Sequence, residues 1–272
     1  MTYDELDKPS YAKPLIIAAV VVAAAGLGGW LYWHNQKALP KTPVDAPPEA
    51  AAPLSAARIE HPVPAAPGDA AKAPLPELND SDMAVIDALG DAAPGLNLAQ
   101  YLVPESVIRH IVVTVDNLPR QKVAVDKRPV TPAAGVFVAD GDELHATLDS
   151  RNFRRYEPMM DLIRKADMQR FGAVYLRFYP LFQKAYQDLG YPTGYFNDRL
   201  VTVIDMLLAT PQIAGPVELV RPNVMYVFAD PKLEALPAGQ KVLIRIGADN
   251  AAAVKAKLME LRAIITAAGP KH

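Results

Sequence analysis

The chain contains no cysteine, which excludes disulfides, thiol catalysis and every cysteine-ligated metal site. Histidine is scarce where it would matter, since His110 and His145 are the two that fall between residues 79 and 269. Neither stands in the His-Glu-x-x-His pattern of a zinc protease helix. The Gly-x-Ser-x-Gly elbow of serine hydrolases and the Gly-x-x-x-x-Gly-Lys-Ser/Thr phosphate loop are missing too. No catalytic, cofactor-binding or metal-ligating motif is legible, and both histidines are expected to be structural. An excess of either charge is also lacking: from Asn79 to His272 there are 22 Lys and Arg against 22 Asp and Glu. That balance gives no sign of a nucleic-acid partner.

Against these absences stands one long apolar run. From Leu15 to Trp33, nineteen residues pass without a charged side chain, close to the length that crosses a hydrocarbon core of about 30 Å. Asp4, Glu5 and Asp7 precede the run and Trp30, Tyr32 and Trp33 close it. A cleaved signal would have a basic start and small residues at its end, whereas aromatic rings suit the headgroup layer. Residues 15–34 are therefore expected to be a transmembrane helix behind a short cytoplasmic tail, 1–14. Lys8 and Lys13 before the span balance Lys37 and Lys41 after it. The α-amino group and the spacer that follows favour a cytoplasmic N-terminus. Ala24 with Gly28 and Ala25 with Gly29 have the small-xxx-small spacing that lets two helices pair, so a homodimer through that face is one expectation. The general abundance of Ala and Gly in spanning helices explains the same spacing without it.

Composition changes sharply after the span. Between Ala38 and Leu78, ten of 41 residues are Pro and none is aromatic, too little large apolar surface to offset the entropy of ordering the segment. Residues 35–78 read as a disordered Pro/Ala-rich linker with a reach between roughly 35 and 120 Å. Residues 79–269 are then the globular part, of a size suited to one core.

Within that part the patterning is mostly helical. Asp80 or Ser81 suits an N-cap before Met83, Ile86 and Leu89. After Pro104 a stripe runs through Val107, Ile108, Ile111, Val112, Val115 and Leu118. Residues 122–149 look strand-like, with Val136–Val138 and Leu144–Leu148 flanking a turn at Asp140-Gly-Asp142. Met159, Leu162, Ile163 and Ala166, then Val174, Phe178, Leu181, Ala185 and Leu189, keep helical spacing. Pro180 predicts a kink or a boundary near Phe178 and Tyr179, and Gly190 and Pro192 a stop. Phe196, Leu200, Val203, Ile204 and Leu207 form a further stripe. Val217–Val220, Val224–Phe228 and Val242–Ile246 read as short strands, Asp230-Pro231 as a helix start, and a last helix runs from near Asp249 to Gly269-Pro270. The expected fold is mainly α with a few short β-strands (α+β).

Candidate functional residues lie in two places. Between Arg151 and Lys184 basic residues exceed acidic ones by five, and Arg154, Arg155, Arg164 and Arg177 could offer forked donors to an anionic envelope protein, lipid or wall polymer. A solvated helix face with pairs such as Asp161 and Lys165 explains most of the same residues. The second place is the turn Leu189–Arg199, where Tyr191, Tyr195, Phe196 and Arg199 combine residue types common in binding hot spots. A helix junction sealed by Tyr rings, with Asn197 or Asp198 capping, is the plainer alternative. Asp140-Gly-Asp142-Glu143 gathers carboxylates but lacks a calcium loop, and reads as a turn.

Several longer strings, Tyr175-Leu-Arg-Phe-Tyr-Pro-Leu-Phe-Gln-Lys-Ala-Tyr186, Leu189-Gly-Tyr-Pro192, Gly194-Tyr-Phe-Asn-Asp-Arg199, Phe228-Ala-Asp-Pro231 and Ala238-Gly-Gln-Lys241, resemble the domain of unknown function 3014 family of Gram-negative bacteria. The resemblance covers about Leu98 to Ile265. It implies an envelope protein with one N-terminal span, and brings no activity or site residues with it. The leading expectation is an inner-membrane-anchored periplasmic binding or scaffold module, laid out like envelope-spanning adaptors of the TonB class, and not an enzyme. The alternative is a periplasmic hydrolase of wall or lipid substrates using carboxylate pairs among Asp167, Asp198, Asp205 and Asp230.

Overall fold

Apolar residues at helical spacing become helices that bury one stripe each, and the longest of them sit at the centre. The computed structural model describes residues 58–67, 74–96, 99–121, 127–142, 145–223 and 225–267. The run Leu15–Trp33, with Ala24, Ala25, Gly28 and Gly29, lies outside them, as do residues 35–57 of the spacer. Among the described residues no helix is long and apolar enough to cross a membrane.

The helices are α1 (Asp82–Ala92), α2 (Val107–Asn117), α3 (Arg151–Arg154), α4 (Glu157–Lys165), α5 (Met168–Asp188), α6 (Phe196–Leu208), α7 (Pro231–Glu234), α8 (Ala238–Arg245) and α9 (Ala248–Ile265). Helices α5 and α9 are the axis of the domain. Helix α5 touches α1, α2, α6 and α9, and α9 also touches α4, α6 and α8. Asp167 starts α5 by accepting from the amides of Gln169 and Arg170 at 3.0 and 3.3 Å, the usual way to satisfy orphan donors of a first turn. Phe171, Tyr175, Phe178 and Phe182 are buried along it, and Gly190 ends the segment at φ +115°, which glycine adopts freely. In α9, Val254, Leu258, Leu261 and Ile265 form the buried stripe.

Two starts are more elaborate than their sequences suggest. Ser81 occupies the N-cap of α1, yet its hydroxyl turns back to donate to Leu78 O, and Val85 and Leu89 are buried while Met83 is exposed. The carboxylate of Asp82 instead serves α2, accepting from the amides of Ser106 and Val107 at 2.7 and 2.8 Å. Asp230 caps α7 as expected, taking the Lys232 amide at 2.8 Å.

Three expectations are corrected. Helix α5 runs through Pro180 without a boundary. Pro180 lies on the exposed side, where the Leu176 carbonyl that it deprives of a donor can be hydrated. Val242–Ile246 is the end of α8 rather than a strand. Its first donors are satisfied from outside, by Arg120 O to the Ala238 amide at 2.8 Å and Leu118 O to the Gly239 amide at 3.0 Å, so tertiary packing overrides the β-branched run. The hairpin forms one step later than the pattern indicates. β1 (Ala139–Asp140) pairs antiparallel with β2 (Ala146–Leu148), with Ala139 opposite Leu148, while Val136–Val138 stays irregular.

β2 pairs in turn with β3 (Glu218–Val220), and β3 with β4 (Val227–Phe228), giving one antiparallel sheet in the order β1-β2-β3-β4. Ala146, Leu148, Leu219 and Phe228 turn one face of it onto Ile244 of α8, a small core beside the main helical one. The domain is thus mainly helical with a small antiparallel sheet.

At Gly172 helix α5 lies tightly against α9: a Cβ there would come within 2.5 Å of Ile264 Cγ2. Gly172→Ala gains about 1 kcal/mol of helix propensity but meets a branched side chain with little room, an overpacking cost of roughly 1–3 kcal/mol. The expected outcome is a lower urea midpoint with unchanged slope. A raised midpoint would contradict this packing.

Candidate functional site

The first turn of α6 is where chain from four parts of the sequence converges. Tyr195 is its N-cap residue, and its backbone donors are met from α5: Gln183 Oε1 accepts from the Phe196 amide at 2.9 Å, and Gln183 Nε2 donates to Gly194 O at 2.7 Å. The same Oε1 accepts from Tyr179 Oη at 3.0 Å. Tyr179 and Tyr195 lie with ring centroids 5.6 Å apart. One residue on, Asn197 is fully buried. Its Oδ1 accepts from Tyr175 Oη at 2.9 Å, and its Nδ2 donates to Ile265 O at 3.0 Å and to His61 O at 2.8 Å. The bond to Ile265 O satisfies one of the last carbonyls of α9, a group that helix geometry leaves without an internal partner.

His61 belongs to residues 58–67, a segment without regular secondary structure, bent at Glu60 and His61, that lies along this turn. Asp198 accepts two successive amides of that segment in its two oxygens, Glu60 N to Oδ2 at 3.1 Å and His61 N to Oδ1 at 2.7 Å. Tyr195 Oη accepts from Val63 N at 2.9 Å. Val63 and Ala66 pack on the main core, while Ile59 stays half exposed. These residues fall in the stretch read from composition as disordered linker. Composition accounts for the lack of a core of its own and leaves out side chains elsewhere that can bind its backbone. Tyr195, Asn197 and Asp198 thus bind the backbone of this segment, and Val63 and Ala66 anchor it on the core.

A second cluster adjoins the first. Asp116 of α2 is 2 % exposed, and Arg199 Nη2 lies 3.0 Å from its Oδ1 and donates to its backbone carbonyl at 2.8 Å. Arg120 Nη2 reaches its Oδ2 at 2.5 Å, and Tyr191 Oη donates to the same oxygen at 3.3 Å. Tyr191 stacks on Tyr186 at 4.6 Å. Tyr191 and Arg199 therefore close the α2–α6 junction, and Tyr195 holds the segment 58–67.

The basic residues of 151–184 are largely engaged inside the chain. Arg155 donates to Ala134 O and Gly135 O, each at 3.0 Å. Arg164 pairs with Glu157 at 2.9 Å and Asp161 at 3.4 Å and donates to Asn250 Oδ1 at 2.7 Å, so Asp161 faces Arg164 rather than Lys165. Arg177 lies over the Phe178 ring at 5.0 Å, and Arg154 is exposed. Of the four candidate carboxylates, Asp167 and Asp230 cap helices, Asp198 holds residues 60 and 61 and Asp205 makes a forked pair with Arg262 at 2.6 and 2.9 Å. His145 Nδ1 stands 3.4 Å from Asp142 on an exposed turn. Among the described residues no three His, Asp or Glu gather as a metal site.

A family model described as a protein of unknown function, DUF3014, matches residues 107–262. The chain belongs to the DUF3014 family. No curated protein and no solved structure matches it. The DUF3014 match begins at the first residue of α2 and ends within α9, so it takes in Asp116, Asn197 and Asp198, while residues 58–67 fall before it.

In the sequence Asn197 stands only as a cap in the plainer alternative, and Gln183 and Tyr175 carry no role, although a signal for the burial of Asn197 exists: it stands three residues before Leu200 and four before Val201, on the buried stripe. A polar residue there must find partners. Burial drives the phenol pKa of Tyr175 well above its ordinary value, raises that of Tyr156, and does the same to Tyr179 with help from the Tyr195 hydrogen bond. Folded pKa values above the unfolded one, near 10, mean that the neutral phenols stabilise the fold fully below about pH 10 and progressively less above it. In an absorbance titration at alkaline pH, these three tyrosines should ionise only together with unfolding. Independent titration of all tyrosines near pH 10 in a still-folded chain would contradict their burial.

Proposed function

We propose that this chain is a single-pass protein of a bacterial inner membrane, with its N-terminus in the cytoplasm and its folded domain in the periplasm as a binding or scaffold module for an envelope protein. The apolar run Leu15–Trp33 supports the anchor, and family membership is compatible with it. The observation that carries the binding role is the backbone-reading face formed by Tyr195, Asn197 and Asp198, which residues 58–67 fill in this structure and whose place a partner segment would take. A carboxylate that accepts two successive amides clasps a bend in a peptide backbone, where neighbouring N–H groups point the same way. It would repel a phosphate headgroup or an acidic wall polymer, and the engagement of Arg155 and Arg164 within the chain leaves those partners with less to hold. A protein segment is therefore favoured over lipid or polymer.

With residues 58–67 docked, the spacer ends at residue 57 rather than 78. Residues 35–57 would reach roughly 25 Å as a coil and at most about 70 Å as polyproline II, so the domain stays nearer the membrane than the whole linker would allow. No observation favours the hydrolase reading, since Asp167, Asp198, Asp205 and Asp230 each have a partner in the chain.

The test combines topology with contact. A photo-crosslinking residue at Thr202, exposed one turn from Asp198, should give adducts with an envelope protein in living cells, and protease added to intact spheroplasts should digest the domain. Adducts confined to residues 58–67, or protection until lysis, would overturn the reading.

A further inference from the structure

Where the small sheet meets the helical core, a cavity of about 170 Å³ opens between the loop 210–217, the end of α8 and the first half of α9. Its walls are chiefly apolar, with Phe153, Ile213, Val217, Leu243, Ile244 and Ala251 among them. One charged side chain, Lys255, lines it. Lys255 donates to Thr210 O at 2.5 Å, and no ion pair to it occurs among the described residues. Its neighbours one turn away on α9 are Ala251, Ala252, Leu258 and Met259, so its own helix supplies no counter-ion. An ammonium has three donors, and two remain beyond the Thr210 bond. Burial lowers the Lys255 pKa, as expected for a cation beside an apolar wall without an anion.

We propose that this cavity is a binding site for a small amphipathic carboxylate, its apolar body between Phe153 and the wall of α8 and α9 and its carboxylate on Lys255. An apolar cavity of about 150 Å³ accepts benzene, so the volume here sets the body at about one six-membered ring. The carboxylate supplies the missing counter-ion, and its charge-assisted bond to the ammonium forms beside low-polarity walls, where such bonds are strongest. A neutral ligand of the same shape fills the space but leaves Lys255 unpaired, and a cationic one adds repulsion. The site is separate from the face at the start of α6, and neither depends on the other.

The probe is 4-fluorobenzoate, followed by fluorine NMR on the full chain in nanodiscs, with 4-fluorobenzamide as the neutral counterpart. Saturable binding is expected at millimolar concentration or below, the range open to a ligand of about ten heavy atoms, with the amide at least roughly tenfold weaker. Lys255→Met should remove that preference. Ala252→Phe, at an exposed lining position, should abolish binding of both probes while the melting temperature stays unchanged. Equal binding of acid and amide to the wild-type chain, no saturation up to about 10 mM, or binding that survives Ala252→Phe would overturn the proposal. Should Ala252→Phe lower the melting temperature, the acid–amide comparison in Lys255→Met decides alone.

Discussion

One buried amide constrains the rest of the architecture. Asn197 has one acceptor oxygen and two donor hydrogens to place away from water, and each finds a partner on a different segment: the hydroxyl of Tyr175 on α5, the last carbonyl of α9 at Ile265, and the His61 carbonyl of the docked segment. Those partners fix the amide's orientation, because a hydroxyl hydrogen needs the oxygen and two carbonyls need the nitrogen. Aspartate would offer no donor to the carbonyls, and leucine would leave two buried polar groups, the Tyr175 hydroxyl and the Ile265 carbonyl, unsatisfied, each at about 1–3 kcal/mol. The central helix, the final helix and the segment 58–67 are held in one arrangement through a single side chain.

Around that node the design is additive. Gln183 finishes the start of α6, which leaves Tyr195 and Asp198 free to face outward and hold amides of another segment. Asp198 stands in the first turn, where the helix dipole favours a carboxylate, so an anion that accepts backbone donors is steadied by its own helix. Asp116, with Arg120, Arg199 and Tyr191, fastens α2 to the far side of the same turn. A face that reads backbone must be rigid, and it is rigid because polar side chains behind it are satisfied.

Periodic apolar residues made much of the fold legible. Val107 to Leu118, Met159 to Ile163 and Phe196 to Leu207 are helices with those faces buried, and Asp230-Pro231 starts one. Sequence was misleading where tertiary contacts outweighed local preference. Val242–Ile246 reads as a strand and is helical because Leu118 and Arg120 meet its first donors, and Pro180 sits inside a helix without ending it because its side faces water. The candidate turn Leu189–Arg199 was visible through its Tyr and Arg residues. What it holds was not, since Asp198 and residue 60 are far apart in sequence and a Pro/Ala-rich composition conceals a segment whose backbone is bound by side chains from another region.

The central claim is that residues 58–67 are part of the folded domain. Amide hydrogen exchange at Glu60, His61 and Val63 in the full chain tests it most directly, because a bonded amide exchanges only when its segment opens. Exchange slowed by at least about tenfold relative to an unstructured chain is predicted, with Glu60 and His61 returned to the unprotected rate by Asp198→Ala, a change of the size that about 1.4 kcal/mol confers. Unprotected exchange at all three amides in the wild-type chain would contradict it.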